Sequence, residues 1–237
     1  MANGYRLFHC ETMLGHELLE SIHSLPRGGA SAAMLRHTAR FPIADPSKPT
    51  LAEITPAGAA AAEAFGARIS GFDCLRIFHS PVNRCAQTAE NIALGARSTG
   101  LAVDLVGAHA TLGVDYIKDL VEVGRLNALH GEPFVRLWFS GRIDEAYILP
   151  AARIATAKLA FLTERLRESC EKGRRLDLHI THDWNVIILR ELMLGVRHEE
   201  TGWPAFLDGL VFSWQTEGLR AVYRDRTLTR PLPWRFK

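Results

Sequence analysis

The sequence lacks several signatures by which enzymes are commonly recognised. Its 237 residues contain no G-x-S-x-G elbow, no G-x-x-x-x-G-K-[ST] loop and no G-x-G-x-x-G stretch after a predicted strand. Acyl transfer through such an elbow and nucleotide binding through such loops therefore have no support. Paired cysteine spacing is also missing, because Cys10, Cys74, Cys85 and Cys170 form neither a C-x-x-C motif nor a zinc pattern. We expect reduced thiols in a cytoplasmic protein.

Long apolar runs and a strong charge of one sign are missing too. No run is long enough to span a bilayer, and residues 1–22 show neither an apolar core nor a cleavage site, so we expect no signal peptide. The net charge of +2 and the pI of about 8.4 are too mild to indicate nucleic acid or a membrane surface as a partner. The 47% of apolar residues are typical of a globular protein with a sizeable core.

Predicted strands alternate with predicted helices along most of the chain. This alternation predicts one large α/β domain with a largely parallel sheet. Residues 109–150 are predicted to be mostly helical, residues 208–228 alternate like a β-hairpin, and the basic segment 224–237 is expected to be a solvated tail. The predicted strands are 30–37, 74–81, 101–108 and 176–183, and the predicted helices are 15–25, 55–70, 84–98, 151–173 and 185–195.

Chemically active residues follow three of the predicted strands. Arg36, His37 and Arg40 end the first strand, residues 80–84 follow the second, and His182 with Asp183 ends the fourth. In parallel sheets, sites form at the carboxyl ends of strands. Guanidinium groups match phosphate geometry, histidine is a nitrogen nucleophile and a carboxylic acid protonates a leaving oxygen. Each residue alone has an ordinary structural explanation, but together they predict phosphoryl transfer.

Four motifs carry a resemblance to a known family. Residues 36–42 match R-H-G-x-R-x-P except at the glycine, where Thr38 stands, and residues 54–58 read I-T-P-A-G where L-T-x-x-G is common. Residues 80–89 match S-x-x-x-R-x-x-x-T-A, and residues 181–183 supply a strand that ends in H-D. With these motifs the chain resembles the histidine phosphatase superfamily, which contains the histidine acid phosphatases and the phosphoglycerate-mutase-like enzymes.

The resemblance implies a fold and a set of roles. The fold would be a phosphoglycerate-mutase-like, three-layer α/β/α sandwich with a mostly parallel mixed sheet, formed by residues 1–237 as one domain that needs no cofactor and no metal. His37 would be the nucleophile that forms a phosphohistidine, and Asp183 would be the general acid. The phosphoryl oxygens would be bound by Arg36, Arg40, Arg84 and His182. Surrounding arginines would keep His37 neutral by lowering its pKa.

Three departures from the family pattern bear on the substrate. Thr38 in place of glycine is expected to narrow the phosphate pocket or simply to be tolerated. Residues 1–30 form an N-terminal extension, expected to serve packing or an interface, and residues 109–150 are expected to be a cap that sets substrate specificity. In the mutase branch the acid is a carboxylate from this second region. The alternatives to Asp183 as the acid are therefore Asp115, Asp119 and Glu122.

The most specific interpretation is a phosphomonoesterase that hydrolyses a small phosphorylated metabolite. Its substrate pocket is expected to be built from residues 43–53, from residues 109–150 and from residues after 183, where Trp184 packs in the core or stacks on the substrate. We expect neither nucleic acid nor membrane as a partner. The sequence does not decide whether the chain forms a homo-oligomer. The alternatives are a phosphomutase, a non-catalytic phospholigand-binding relative, and a metal hydrolase built on His37, His182 and Asp183.

Overall fold

One mixed sheet of seven strands organises the chain, in a computed structural model that describes residues 14–26, 28–43, 48–168, 173–233 and 236. The strands are β1 (Ala30–Arg36), β2 (Cys74–His79), β3 (Ala102–Ala108), β4 (Arg175–Thr181), β5 (Gly209–Gln215), β6 (Gly218–Tyr223) and β7 (Arg226–Arg230). Their order across the sheet is β3-β2-β4-β1-β5-β6-β7. The four strands from β3 to β1 are mutually parallel, and β5, β6 and β7 continue the sheet by antiparallel pairing.

Helices cover both faces of this sheet. They are α1 (His16–His23), α2 (Pro56–Ala67), α3 (Asn83–Ser98), α4 (Leu120–His130), α5 (Pro133–Phe139), α6 (Ala151–Arg167), α7 (Asp183–Leu194) and α8 (His198–Thr201), with 3-10 turns at Pro49–Leu51 and Ala110–Leu112. Because successive strand side chains point to opposite faces, Ala32 and Met34 of β1 join the apolar cluster under α6 and α7, and Ala33 and Leu35 join the cluster under α1, α2 and α3. The predicted α/β/α sandwich with a mixed sheet is confirmed.

Two described segments near the ends of the chain, residues 18–22 and Arg226–Arg230, are more closely integrated into the fold than the sequence indicated. In α1, Leu18, Leu19 and Ile22 are buried against the sheet, so the described part of the N-terminal extension contributes to the core. The predicted hairpin gains a third strand, because Arg226–Arg230 pairs with β6. This stretch of the expected basic tail is largely exposed to solvent, as expected, but it is an ordered strand at the sheet edge.

The expectations of no membrane-spanning segment and of reduced cysteines can be compared with the residues that the structure describes. None of the helices in this part of the chain is both long enough and apolar enough to cross a membrane. Cys85 is a free thiol and is fully buried. Cys10 and Cys170 lie outside the described residues.

Small residues let α2 and α3 pack with their backbones in contact. A Cβ added at Gly95 would lie 1.9 Å from the carbonyl oxygen of Glu63, and one added at Gly66 would lie 2.1 Å from that of Ile92. At its first turn α2 also meets the loop after β1, where a Cβ on Gly58 would lie 2.2 Å from the carbonyl oxygen of Ala39. These close approaches fix both helices against the loop that follows β1.

We predict that Gly95→Ala destabilises the protein although alanine is the better helix former. The added methyl group collides with backbone that cannot rotate away, and overpacking of this kind costs about 1–3 kcal/mol of unfolding free energy. The matched control is Gly124→Ala in α4, where no atom lies within 4 Å of the added Cβ. This control should gain about 0.5–1 kcal/mol from helix propensity. Urea denaturation measures both, and equal stability of the two variants would contradict the close packing.

Candidate active site

Three adjacent strands deliver the predicted residues to one edge of the sheet. β4 lies between β1 and β2, so His37, Ser80 and His182 follow neighbouring strand ends. Backbone hydrogen bonds continue the pairing beyond the strands, because the His37 amide donates to the Thr181 carbonyl (2.9 Å) and the Ser80 amide to the Ile180 carbonyl (2.9 Å). The register of the sheet therefore brings together residues that are up to about 145 positions apart in sequence.

His37 is buried in the tautomer that a nucleophilic Nε2 requires. Its Nδ1 donates a proton to the carbonyl oxygen of Thr38 (2.7 Å), and its Nε2 accepts a hydrogen bond from Nε of Arg84 (3.0 Å). Burial is the largest cause that lowers the pKa of His37 to about 3, and the charges of Arg84 and Arg36 act in the same direction. The predicted neutral imidazole is thus favoured, with burial as a stronger cause than the arginines.

His182 lies beside His37 and is held between Ser80 and Arg84. Arg84 donates from its terminal nitrogen to Nδ1 of His182 (3.2 Å), so the Nε2 proton points at Ser80 Oγ (2.9 Å). Burial, followed by the charge of Arg84, lowers the pKa of His182 well below its ordinary value. Two neutral imidazoles therefore flank one guanidinium.

Arg40 and Arg84 line the site without an acidic partner. Arg84 donates to the Pro49 carbonyl (2.7 Å) and Arg40 to the Phe41 carbonyl (2.8 Å). Among the ion pairs formed by the described residues, neither guanidinium contacts a carboxylate. Two cations next to a neutral nucleophile form an electrostatic site for an anion with several oxygens.

Arg36 occupies a different position from the other two arginines. Its guanidinium pairs with Asp183 (3.2 Å), donates to the Pro204 carbonyl (2.6 Å) and lies 4.2 Å from the centre of the Phe206 ring. It is not among the residues that line the cavity described below. Its predicted contact with phosphoryl oxygens stays a prediction, while its contact with Asp183 is present.

Asp183 is the carboxylate that faces the site. Its Oδ2 accepts from Nε1 of Trp203 (3.0 Å) and its Oδ1 from the backbone amide of Trp184 (2.9 Å). Burial opposes ionisation of Asp183, but Arg36, Trp203, His37 and Trp184 outweigh it and lower its pKa. In this arrangement the carboxylate is ionised near neutral pH, and a bound anion would have to raise its pKa before it could act as an acid.

The alternative acids lie elsewhere. The side chain of Asp119 caps α4 by accepting from the Glu122 amide (2.9 Å), Glu122 pairs with Arg125 (2.7 Å), and Asp115 is exposed. None of these three carboxylates lines the cavity, whereas Asp183 does. The geometry favours Asp183, and its role as the acid stays a prediction.

A cavity of about 860 Å³ opens above His37. Its walls come from the loop after β1, from the segment 114–127 and from Trp184, which are the three regions named from the sequence. Trp184 also packs against Phe134 and Trp138, at ring-centre distances of 5.7 and 5.2 Å, so both expected roles are compatible with its position.

Thr38 does not narrow this cavity, so that expectation is wrong. The Thr38 side chain is fully buried and points away, because its hydroxyl donates to the Gly58 carbonyl (2.9 Å). Its amide donates to the hydroxyl of Thr88 (3.2 Å). Threonine at this position therefore ties the loop after β1 to α2 and α3.

Several supporting residues escaped sequence reasoning. Trp203 and Phe206 contact Asp183 and Arg36 from the loop after α8, where no periodic pattern marks them. Lys158 could have been found from the sequence, because a lysine in the apolar stripe of α6 indicates a buried charge. Burial lowers the pKa of Lys158 to about 7. Its Nζ donates to the Thr111 carbonyl (2.6 Å), and Asn185 donates to the Gly113 carbonyl (3.0 Å). Together they hold the 111–113 turn under the site.

Comparison with known proteins gives a family match and a set of similar folds. The model of the "Histidine phosphatase superfamily (branch 1)" matches residues 47–105, and no curated protein matches the chain. A mycobacterial glucosyl-3-phosphoglycerate phosphatase is similar in structure at 18% identity and a TM-score of 0.54, over 84% of this chain and 99% of that one.

Two further solved structures show the same fold. A phosphoserine phosphatase mutant from Entamoeba histolytica, in complex with phosphoserine, shares 13% identity with a TM-score of 0.53, over 83% of this chain and 97% of that one. A phosphoglycerate mutase from Bacillus anthracis shares 12% identity with a TM-score of 0.52, over 87% of this chain and 94% of that one. The chain therefore has the phosphoglycerate-mutase-like fold that its motifs predicted.

We predict that kcat is highest at mildly acidic pH and falls towards pH 9. His37 is neutral above a pKa of about 3, so the nucleophile does not set the alkaline limb. The pKa of Asp183 is lowered in the free enzyme, and the negative charge of a bound phosphoryl group raises it in the complex. Because Asp183 must carry a proton to act, kcat falls as pH rises through this raised pKa. Asp183→Asn should lose about 10²–10⁴-fold in rate and flatten this limb. Asp115→Asn is the control, and a wild-type rate that climbs steadily to pH 9 would contradict Asp183 as the acid.

Proposed function

We propose that this chain, whose resemblance to the histidine phosphatase superfamily the family model confirms, is a phosphomonoesterase that hydrolyses a small phosphorylated metabolite. The observation that supports this most is the environment of His37. Its Nε2 is unprotonated, lies 3.0 Å from a guanidinium nitrogen of Arg84, and borders a cavity that Asp183 also lines. A nucleophile, an anion-binding cation and an acid therefore share one cavity.

The first step would transfer the phosphoryl group to His37. Arg84 turns from Nε2 of His37 to the phosphoryl oxygens, which frees the lone pair that accepts its hydrogen bond in the structure. Nε2 then attacks phosphorus in line with the leaving oxygen while Arg40 and Arg84 neutralise charge on the phosphoryl oxygens. The bond from phosphorus to the leaving oxygen breaks, and Asp183 gives its proton to that oxygen. The hydrogen bond that Nδ1 of His37 donates to the Thr38 carbonyl keeps the imidazole oriented and stabilises the positive charge that the ring acquires.

The second step would release phosphate. Water attacks phosphorus, the bond from phosphorus to Nε2 breaks, and the Asp183 carboxylate takes the proton from the water. His37 returns to its neutral form, which burial favours. The phosphohistidine intermediate divides the displacement into two in-line steps at the same residue.

Ser80 would allow His182 to donate to the substrate. In the structure the Nδ1 of His182 accepts from Arg84, and an acceptor cannot bind a phosphoryl oxygen. The Ser80 hydroxyl accepts from the Val82 amide (3.3 Å) and keeps one proton to donate. If that proton turns to Nε2 of His182, the ring carries its own proton on Nδ1 and donates it to phosphate, while Arg84 turns to the same anion.

The proposal also covers the reaction type, the compartment and the partners of the protein. The phosphatases among the similar structures support hydrolysis, and the phosphoglycerate mutase keeps phosphomutase activity as the alternative. A non-catalytic role is less consistent with the retention of both His37 and Asp183. We expect a cytoplasmic enzyme that needs no cofactor and acts without nucleic acid or membrane partners. The proposal holds for a monomer and for a homo-oligomer alike.

A metal hydrolase has weaker geometric support. Within the described part of the chain, the three side chains whose ligand atoms lie within 4.8 Å of one another are Glu191, His198 and Glu199. They lie at α7 and α8 instead of at His37, and Arg136 pairs with two of them. The proposal therefore requires full activity in excess EDTA.

We predict that His37→Ala abolishes phosphate release from every ester that the wild type hydrolyses. Removal of a nucleophile costs at least about a thousandfold in kcat. A panel of phosphometabolites, with phosphate release measured in excess EDTA, tests the wild type and the variant together. His130→Ala is the matched control, because this histidine is exposed at the end of α4 and does not line the cavity.

The outcomes of this panel separate the alternatives. Phosphate release that His37→Ala retains would contradict the mechanism, and activity lost in EDTA would favour a metal hydrolase. Isomerised ester without free phosphate would favour a phosphomutase. A wild type that binds phosphate esters but converts none of them would favour the non-catalytic relative.

A further inference from the structure

The cavity above His37 is much larger than a phosphoryl group. Its volume of about 860 Å³ falls within the roughly 300–1,000 Å³ of pockets that enclose whole drug-sized ligands. The residues assigned to phosphoryl binding lie at one end, at the edge of the sheet. The remaining space must hold the leaving group, so its walls determine which alcohol the site accepts.

One wall is formed by α4 and the turn before it. Leu120, Val121 and Gly124 line the cavity from α4, and Val114 and Ile117 continue this wall. We call these five residues the α4 wall. The same helix also lines the cavity with Val123 and with one polar side chain, Asn127. Leu120 is 43% exposed and Val121 is 82% exposed, so the wall presents apolar side chains to whatever enters.

The opposite side of the cavity adds little polarity. It is lined by Ile43, Pro49 and Val82, with Thr50 as a polar neighbour. Among the lining residues that the structure describes, the charged or titratable ones are those already placed at the phosphoryl end: His37, Arg40, Arg84, His182 and Asp183. Among the residues that the structure describes, no lysine or further arginine lines this part to meet a second anionic group.

These walls discriminate between classes of leaving group. A carboxylate, a second phosphate or a polyhydroxyl chain would lose water along the α4 wall, and the amide of Asn127 is the one polar group that α4 offers in return among the described lining residues. An alkyl or aryl group would gain free energy in proportion to the apolar area that it buries. We propose that the site prefers phosphomonoesters of apolar alcohols, with the α4 wall as the specificity determinant. This inference rests on the proposed phosphatase function.

A series of alkyl phosphates tests the preference. From ethyl to hexyl phosphate the acidity of the leaving alcohol is nearly constant, so kcat/KM reports binding of the chain. Burial of each methylene should raise kcat/KM about fourfold, and glycerol 3-phosphate should fall below propyl phosphate. The same series with His37→Ala shows whether the measured release belongs to this site.

Two substitutions test the α4 wall itself. Gly124→Phe projects a ring from a position where nothing lies within 4 Å of the added Cβ, so the helix can accept it. It should reduce kcat/KM for hexyl phosphate at least about tenfold and leave ethyl phosphate within about twofold. Val121→Lys should flatten the chain-length series and raise kcat/KM for 3-phosphoglycerate, because it adds a cation to the wall.

Leu129→Lys is the matched control for Val121→Lys. Leu129 is 65% exposed on the same helix but does not line the cavity, so the series should keep its slope. If kcat/KM of the wild type does not change with chain length, or if glycerol 3-phosphate is preferred, the inference is overturned. Phosphate release that depends on His37 would still support the proposed phosphatase function in that case. Release from no ester would overturn both. Sedimentation measures the oligomeric state of Val121→Lys. If that state changes while the dependence of kcat/KM on chain length does not, the exposed wall is a contact between copies of the chain, and this too would overturn the inference.

Discussion

The hydrogen bond from Nε of Arg84 to Nε2 of His37 is the contact on which the site depends. It joins the first turn of α3 to the loop after β1, and it holds Nε2 of the imidazole beside the cavity, with its lone pair on Arg84 until a phosphoryl group takes that guanidinium. The same guanidinium reaches Nδ1 of His182 and the Pro49 carbonyl, so one side chain connects three segments of the site. The register of the parallel strands and the close packing of α2 on α3 both hold Arg84 in this place.

A surplus of positive charge accounts for the chemistry that this site supports. Arg40 and Arg84 face the cavity without a carboxylate partner among the described residues, while Arg36 is paired with Asp183. The two imidazoles stay neutral because burial and the cations both oppose their protonation. An incoming phosphoryl group completes the charge balance, and its negative charge can raise the pKa of Asp183 towards the value that an acid needs.

Sequence reasoning reached the sheet and the strand-end residues because both depend on local patterns. Strand periodicity located β1, β2 and β4, and parallel pairing then implied that His37, Arg84 and His182 meet. The contacts of Trp203 with Asp183 and of Phe206 with Arg36 depend on how the loop after α8 folds back, and no local pattern encodes that return. The contacts of Arg36 with Pro204 and of the buried Thr38 hydroxyl with Gly58, both away from the cavity, are likewise set by tertiary packing.

The α4 wall was only partly readable for the same reason. The sequence placed residues 109–150 near the substrate, but which side of α4 lines the cavity depends on the packing of this region over α5 and α6. Val121 is exposed and apolar, and a helix of weak periodicity does not reveal that it borders a site.

The central claim is that His37 carries the phosphoryl group during turnover. The direct measurement is the mass of the protein quenched in alkaline denaturant during the first turnovers of a good substrate, followed by mapping of the modified peptide. The account predicts one added phosphoryl group on the peptide that contains His37, formed before phosphate is released. A phosphoryl group on another residue, or rapid phosphate release without any phosphorylated protein, would contradict it.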